Sequence, residues 1–249
     1  VNLTTLIGMI LPGLATGLGG LAVYLVARPS PRLLDTLLGG TAGVMLAALG
    51  FSLLVPALDD GKLWEVLLGF AAGGAAIALV DGFMPHLHER FVPHERSAEQ
   101  RRIDRRGWMV LAALTIHNVP EGLAVGVAFA AGGPELGVPL AIAIGMQNIP
   151  EGTAAAVPLV AAGRSRRAAA LTALASGAVE PLAAFIAYGV VELVGGILPF
   201  ALAFAAAAML YVVVDELLPE AHERGYYREA SLALLVGFAV MMALDNAFG

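Results

Sequence analysis

Two hexapeptides share one pattern: His117-Asn118-Val119-Pro120-Glu121-Gly122 and Gln147-Asn148-Ile149-Pro150-Glu151-Gly152. Each reads as His or Gln, then Asn, any residue, Pro, Glu and Gly. Both lie near the middle of a long apolar stretch, and an ionised side chain at the centre of a bilayer costs roughly 2.5–3.5 kcal/mol on insertion scales. Residues four apart share a helix face, so His117 points with Glu121 and Gln147 with Glu151, while Asn118 and Asn148 border those faces. Pro120 and Pro150 have no N–H. The carbonyls of Ile116 and Met146 should therefore lose their helical partners, and each helix should kink there. Those carbonyls, with Gly122 and Gly152 after the glutamates, leave room for a cation.

A third acid, Glu180, precedes Pro181 in the small apolar run Gly177-Ala178-Val179-Glu180-Pro181. Three unpaired carboxylates at one depth would cost on the order of 8–10 kcal/mol, summing the same insertion figure. No Lys or Arg lies mid-span to neutralise them, so protons or bound cations must do so. One imidazole with carboxylate and amide oxygens suits Zn2+, accepts Fe2+, Mn2+ or Cd2+, and disfavours Cu(I), which prefers sulfur. Two carboxylates able to bridge also suit a pair of ions. Proline-kinked packing helices with incidental polar residues would explain the prolines and glycines, but not two buried glutamates and a histidine at matched positions.

The elements that must carry these residues follow from composition. The chain has 249 residues, 59% apolar and 14% charged, against roughly 25% charged in a soluble domain. Apolar stretches of about 20 residues recur along the whole chain, the length a helix needs to cross about 30 Å of hydrocarbon. We read eight spans, at about 3–27, 33–58, 63–85, 108–131, 136–161, 168–193, 197–218 and 229–248. No run alternates apolar and polar residues as the strands of a membrane barrel would. The fold class is an all-α integral membrane protein, one transmembrane domain over 1–249. Asn2 to Ala27 lacks the basic start and cleavage pattern of a signal peptide and reads as the first span. With no Cys, disulfides and thiolate ligands are excluded.

Thirteen of the fourteen Lys and Arg fall in the connections 1–2, 3–4, 5–6 and 7–8, and Lys62 alone lies on the other side. By the positive-inside rule those four connections are cytoplasmic, which puts both termini on the extracellular or periplasmic side. The loop at about 86–107 is the one sizeable polar segment, with His86, His88 and His94. Elsewhere connections are short, leaving no soluble catalytic domain.

At this point the motif pair, in an eight-span chain with both termini outside and a histidine-bearing cytoplasmic loop after span 3, resembles the ZIP (Zrt/Irt-like) metal transporters, most closely the bacterial GufA-like branch. The resemblance implies a paired mid-membrane metal site. One metal would lie near His117, Glu121, Gln147 and Glu151, the other near Asn118, Glu121, Asn148, Glu151 and Glu180, with both motif glutamates bridging. It also makes Met45 of span 2 a candidate ligand, beside the plainer reading of Met45 as a core filler. An Asp at the position of Asn148 would hold the second metal more strongly than the amide found here. The activity implied is movement of a zinc-type divalent metal from outside into the cytoplasm, with no enzyme reaction and no cofactor. Its partners would be divalent metal ions and the bilayer of a cell membrane, in bacteria the inner membrane, without nucleic acid. A homodimer is left open as the assembly.

Two further features belong to the cytoplasmic ends. Asp81 to Arg90 and Asp215 to Arg224 both fit Asp, three residues, Pro, two residues, His-Glu-Arg. Asp81, His86, His88 and Glu216 are the candidate exit path for metal, against a plain reading as helix caps paired with Arg. Glycines at Gly13 and Gly17, Gly39 and Gly43, and Gly69 and Gly73 permit close helix contact. Two rivals fit worse. An intramembrane protease would want His-Glu-x-x-His, and a di-iron oxidase Glu-x-x-His, whereas the sequence has His-x-x-x-Glu. A proton-coupled carrier of organic substrates does not account for the histidine with paired Asn and Glu.

Overall fold

The computed structural model describes residues 1–25, 30–91, 98–194 and 196–248, with side chains described outside 83–110, 113 and 248. Among the described residues every regular element is helical. The helices are α1 (Leu3–Leu21), α2 (Pro31–Ala48), α3 (Val55–Asp60), α4 (Leu63–Phe91), α5 (Ala98–Ala161), α6 (Arg166–Gly177), α7 (Val179–Leu193), α8 (Leu198–Val212), α9 (Leu218–His222) and α10 (Tyr227–Phe248). Seven helical stretches among the described residues are long and apolar enough to cross a membrane.

Local chemistry explains the starts. Asn2 accepts from the Thr5 N–H, Ser30 from Leu33 and Ser165 from Ala168, each satisfying an amide in the first turn. Two π-helical segments join elements that share one span: Leu49–Leu54 links α2 to α3, and Val213–Leu217 links α8 to α9. In each case a proline follows. Pro56 cannot donate to Ser52, nor Pro219 to Asp215, and the register widens just before: Val55 N–H reaches Gly50 O and Leu218 N–H reaches Val213 O. Pro181 likewise leaves Gly177 O without its helical donor, where α6 gives way to α7.

α5 is two helical arms. Gly132 (φ −128°, ψ 17°) and Gly133 (φ 57°, ψ −143°) leave helical geometry, the second in a region that favours glycine, and Pro134 starts the next arm. The chain then doubles back. Gln147 Nε2 lies 2.6 Å from Glu121 Oε1, whereas a straight helix would hold those residues about 39 Å apart. The arms also touch near the turn, where a Cβ on Gly137 would run into the Phe129 ring.

The helices pack in two groups. α1 lies against α5, α6 and α7; α2 pairs with α10, and α4 with α8. α5 also meets α2, α4, α8 and α10 across the two groups. The expected glycines stand at these crossings: a Cβ on Gly13 would meet the Gly177 backbone, on Gly39 that of Ala230, on Gly43 that of Leu234, on Gly69 that of Phe200 and on Gly73 that of Phe204. Outward faces carry aliphatic side chains such as Leu232, Leu235 and Val236, exposed as lipid contact requires.

The polar segment expected to be a loop over about 86–107 is shorter. α4 continues to Phe91 and α5 begins at Ala98. Ala98-Glu99-Gln100-Arg101-Arg102 are strong helix formers, and outside hydrocarbon a helix needs no apolar face. His94 lies outside the described residues.

Candidate metal centre

Both motif copies lie on α5, one on each arm, and the backbone stays helical through Pro120 and Pro150. His117, Asn118, Glu121, Gln147, Asn148 and Glu151 are all buried, and Glu180 at the start of α7 is 1% exposed. Tight helix crossings bring them together. A Cβ on Gly122 would strike the Glu180 carbonyl, one on Gly126 that of Ala184, and one on Gly152 that of Thr16. The glycine after each motif glutamate thus makes room for a neighbouring helix backbone, which corrects the expectation that it leaves space for a cation.

Two amides partner two acids. Gln147 Nε2 donates to Glu121 Oε1 at 2.6 Å, and Asn148 Nδ2 donates to Glu180 Oε2 at 2.7 Å and to Pro12 O at 3.0 Å. The remaining oxygens are unsatisfied. Ten buried side-chain polar atoms among the described residues have no hydrogen-bond partner, and eight belong to this cluster: Asn118 Oδ1 and Nδ2, Glu121 Oε2, Gln147 Oε1, Asn148 Oδ1, both oxygens of Glu151, and Glu180 Oε1. Buried polar groups are ordinarily paired, so such a concentration marks a place built for something else. Seven of these atoms are oxygens with lone pairs, the donors a divalent cation needs. No three His, Asp or Glu among the described residues converge as a ready-made metal cage. Here amides accompany the acids, the NH2 groups of Gln147 and Asn148 standing against Glu121 and Glu180.

A cavity of about 110 Å3 opens from this cluster, lined by His117, Glu151, Glu216 and Glu220 among apolar residues that include Leu38 and Pro158. His117 Nδ1 lies 3.3 Å from Glu216 Oε2, linking α5 to the π-helical segment after α8. Of the candidate exit residues, Glu216 therefore adjoins the centre. Asp81 is half-buried and receives a 3.4 Å hydrogen bond from Tyr211 Oη. His86 and His88 lie where side chains are outside the description. Met45 is fully buried in the main apolar core, two helical turns beyond Leu38.

Two residues of this region are not singled out by the sequence. Glu220 lines the cavity one turn beyond Glu216. Asp35, fully buried at the start of α2, accepts from Arg224 Nη1 and from the Tyr226 N–H, both at 3.1 Å. Burial works against the Arg224 charge, but the hydrogen bonds to Asp35 and Glu220 outweigh it and hold its pKa above the ordinary arginine value. Spacing of four from Glu216 was the available sign of Glu220, whereas Asp35 looks like any acid near a helix start.

The ZIP Zinc transporter family profile matches residues 92–245. The chain belongs to the ZIP family. It is 39% identical over 253 residues to zinc transporter GufA of Myxococcus xanthus, covering 98% of each chain. Zinc transporter ZIPB of Bordetella bronchiseptica is 39% identical over 244 residues, 94% of this chain and 78% of that protein. Human zinc transporter ZIP11 is 34% identical over 321 residues, 94% of each. This ZIP protein is accordingly a multi-pass membrane protein, and both motif copies fall within the matched region.

Proposed function

We propose that this chain moves zinc from outside into the cytoplasm through a mid-membrane centre formed by the two motif arms of α5 and Glu180. The observation that carries the reading is the cluster of unpartnered buried oxygens at the duplicated motif, facing a cavity that leads to Glu216 and Glu220. The ligands would be His117, Asn118, Glu121, Gln147, Asn148, Glu151 and Glu180, with Glu121 and Glu151 able to bridge two ions. Met45 would add a thioether. Cd2+, Fe2+ and Mn2+ accept the same donors. For zinc to enter, the NH2 groups of Gln147 and Asn148 must turn away from Glu121 and Glu180 and present their oxygens. The amides would thus hydrogen-bond the acids between cargoes and release them to the next ion, which keeps binding reversible.

Departure toward Glu216 gives the direction. The cavity is lined by Glu216, Glu220 and Pro158, which in the sequence stand next to the Arg-rich connections holding Arg164, Arg166, Arg167, Arg224 and Arg228, connections that the positive-inside rule makes cytoplasmic. Asp81, His86 and His88 would continue the path. The membrane-crossing stretch Leu114–Ala161 would count as two spans because its arms fold back at Gly132 and Gly133. The total is then eight, forming one transmembrane domain with both termini outside. Zinc-sensitive dye in liposomes tests the reading. The parent should admit zinc, and His117→Ala and Glu151→Ala should each slow entry by about tenfold or more. Equal rates in parent and variants would remove this centre from the path.

A further inference from the structure

We propose that Arg224 is a tethered cation at the inner mouth of the cavity, anchored by Asp35 and competing with departing zinc for Glu220. The inference rests on the inward direction proposed above.

Glu216, Glu220 and Arg224 stand four residues apart, in the order in which an ion leaving His117 and Glu151 would meet them. Arg224 Nη2 lies 3.2 Å from Glu220 Oε1, and Nη1 donates to Glu220 O at 3.0 Å and to Asp35 Oδ1 at 3.1 Å. The Glu220 side chain is 41% exposed, and a pair of such exposure is weak in water because either partner can leave. Arg224 cannot leave easily. Its side chain is 19% exposed and grips Asp35, which belongs to a different helix and whose side chain is 0% exposed. An arginine fork suits this double role, since one edge can hold the anchor while another reaches the exit acid.

The consequence concerns release. Glu151, Glu216 and Glu220 line one cavity, and acids in series with no cation would hold a divalent ion at the last step. Arg224 offsets the charge of that step. Zinc must displace it from Glu220 to pause there, and Arg224 returns when zinc goes, without drifting off in the interval.

Arg224→Gln alone would strand the buried Asp35, a change expected to damage the fold. The fold-sparing comparison is D35N/R224Q against D35N, with and without E220Q. Zinc retained by the detergent-purified chain after dialysis should rise by about one ion in D35N/R224Q and fall back when E220Q is added. In liposomes the maximal zinc entry rate of D35N/R224Q should drop about three- to tenfold relative to D35N, with KM not raised. That drop should vanish in the E220Q background, as a double-mutant cycle requires of a residue acting through Glu220. Unchanged retention, or a rate loss that persists with E220Q, overturns the proposal. Retention is read without transport, so it judges Arg224 independently. A parent that admits no zinc would sink the transport reading instead.

Discussion

Asn148 is where two demands on one side chain meet. Its NH2 group donates to Glu180 and to the Pro12 carbonyl, ties that hold α5 to α7 and α1, while its Oδ1 has no partner among the described residues. An aspartate there would be the better metal ligand and the worse donor. Asn148→Asp removes both hydrogen bonds and sets a carboxylate against Glu180, leaving buried groups unpaired at about 1–3 kcal/mol each. In chelator the variant should therefore melt lower than the parent, and added zinc should raise its melting temperature by more than it raises the parent's, since a ligand that binds only the folded state stabilises it. Thermal shifts in chelator and in zinc check this, and an equal zinc-induced rise would show that Asn148 does not face the ion. The motif residues were legible because polar groups in a mid-span apolar run have few structural reasons to exist. Asp35 was not, because its meaning depends on Arg224, and a partner 189 residues away has no local signature; Glu220 offered only its spacing of four from Glu216 and from Arg224.

Among elements, the glycines separate into those that helix packing demands and those it does not. Gly73 and Gly74 are neighbours on α4 with opposite surroundings. A Cβ on Gly73 would overlap the backbone of Phe204 on α8, while one on Gly74 meets nothing within 4 Å. Gly73→Ala should force the α4–α8 crossing apart, at a cost of about 1–3 kcal/mol. Gly74→Ala should stabilise by up to about 1 kcal/mol, as alanine loses less backbone freedom than glycine in a helix. Melting temperatures of the two single variants should move in opposite directions, and a shared direction would mean that α4 does not pack as described. Spacing of four between glycines pointed to these crossings, but not to the partner helices. The π-helical segments before Pro56 and Pro219 were invisible for a related reason: a proline announces a missing N–H, and the surrounding packing decides whether the helix kinks, breaks or widens. At Pro120 and Pro150 the backbone stays helical in φ/ψ, and at Pro219 the register widens, which sets Glu216 against His117.

For the molecule as a whole, hydropathy shows that the chain crosses the bilayer and charge asymmetry predicts which way it faces, but the number of crossings turns on one glycine pair. If Leu114–Ala161 crossed once, seven crossings would leave the termini on opposite sides. At about 1.5 Å per residue a single straight helix of that length would run to about 72 Å, more than twice the hydrocarbon thickness. With the arms folded at Gly133 and each arm crossing once, there would be eight crossings and the termini would share a side. The absence of native Cys makes the question easy to ask, because any introduced thiol is the only one. Val1, Ala247 and Arg228 are exposed, the first two near the ends of the chain and the last in the first turn of α10. In intact cells a membrane-impermeant maleimide should label Val1→Cys and Ala247→Cys alike and should reach Arg228→Cys only after permeabilisation. Unequal labelling of the two terminal positions would mean an odd number of crossings, and the hairpin in α5 would then lie to one side of the bilayer. Equal protection of both would keep the eight crossings but invert the molecule, reversing the direction in which Glu216 and Glu220 hand on zinc.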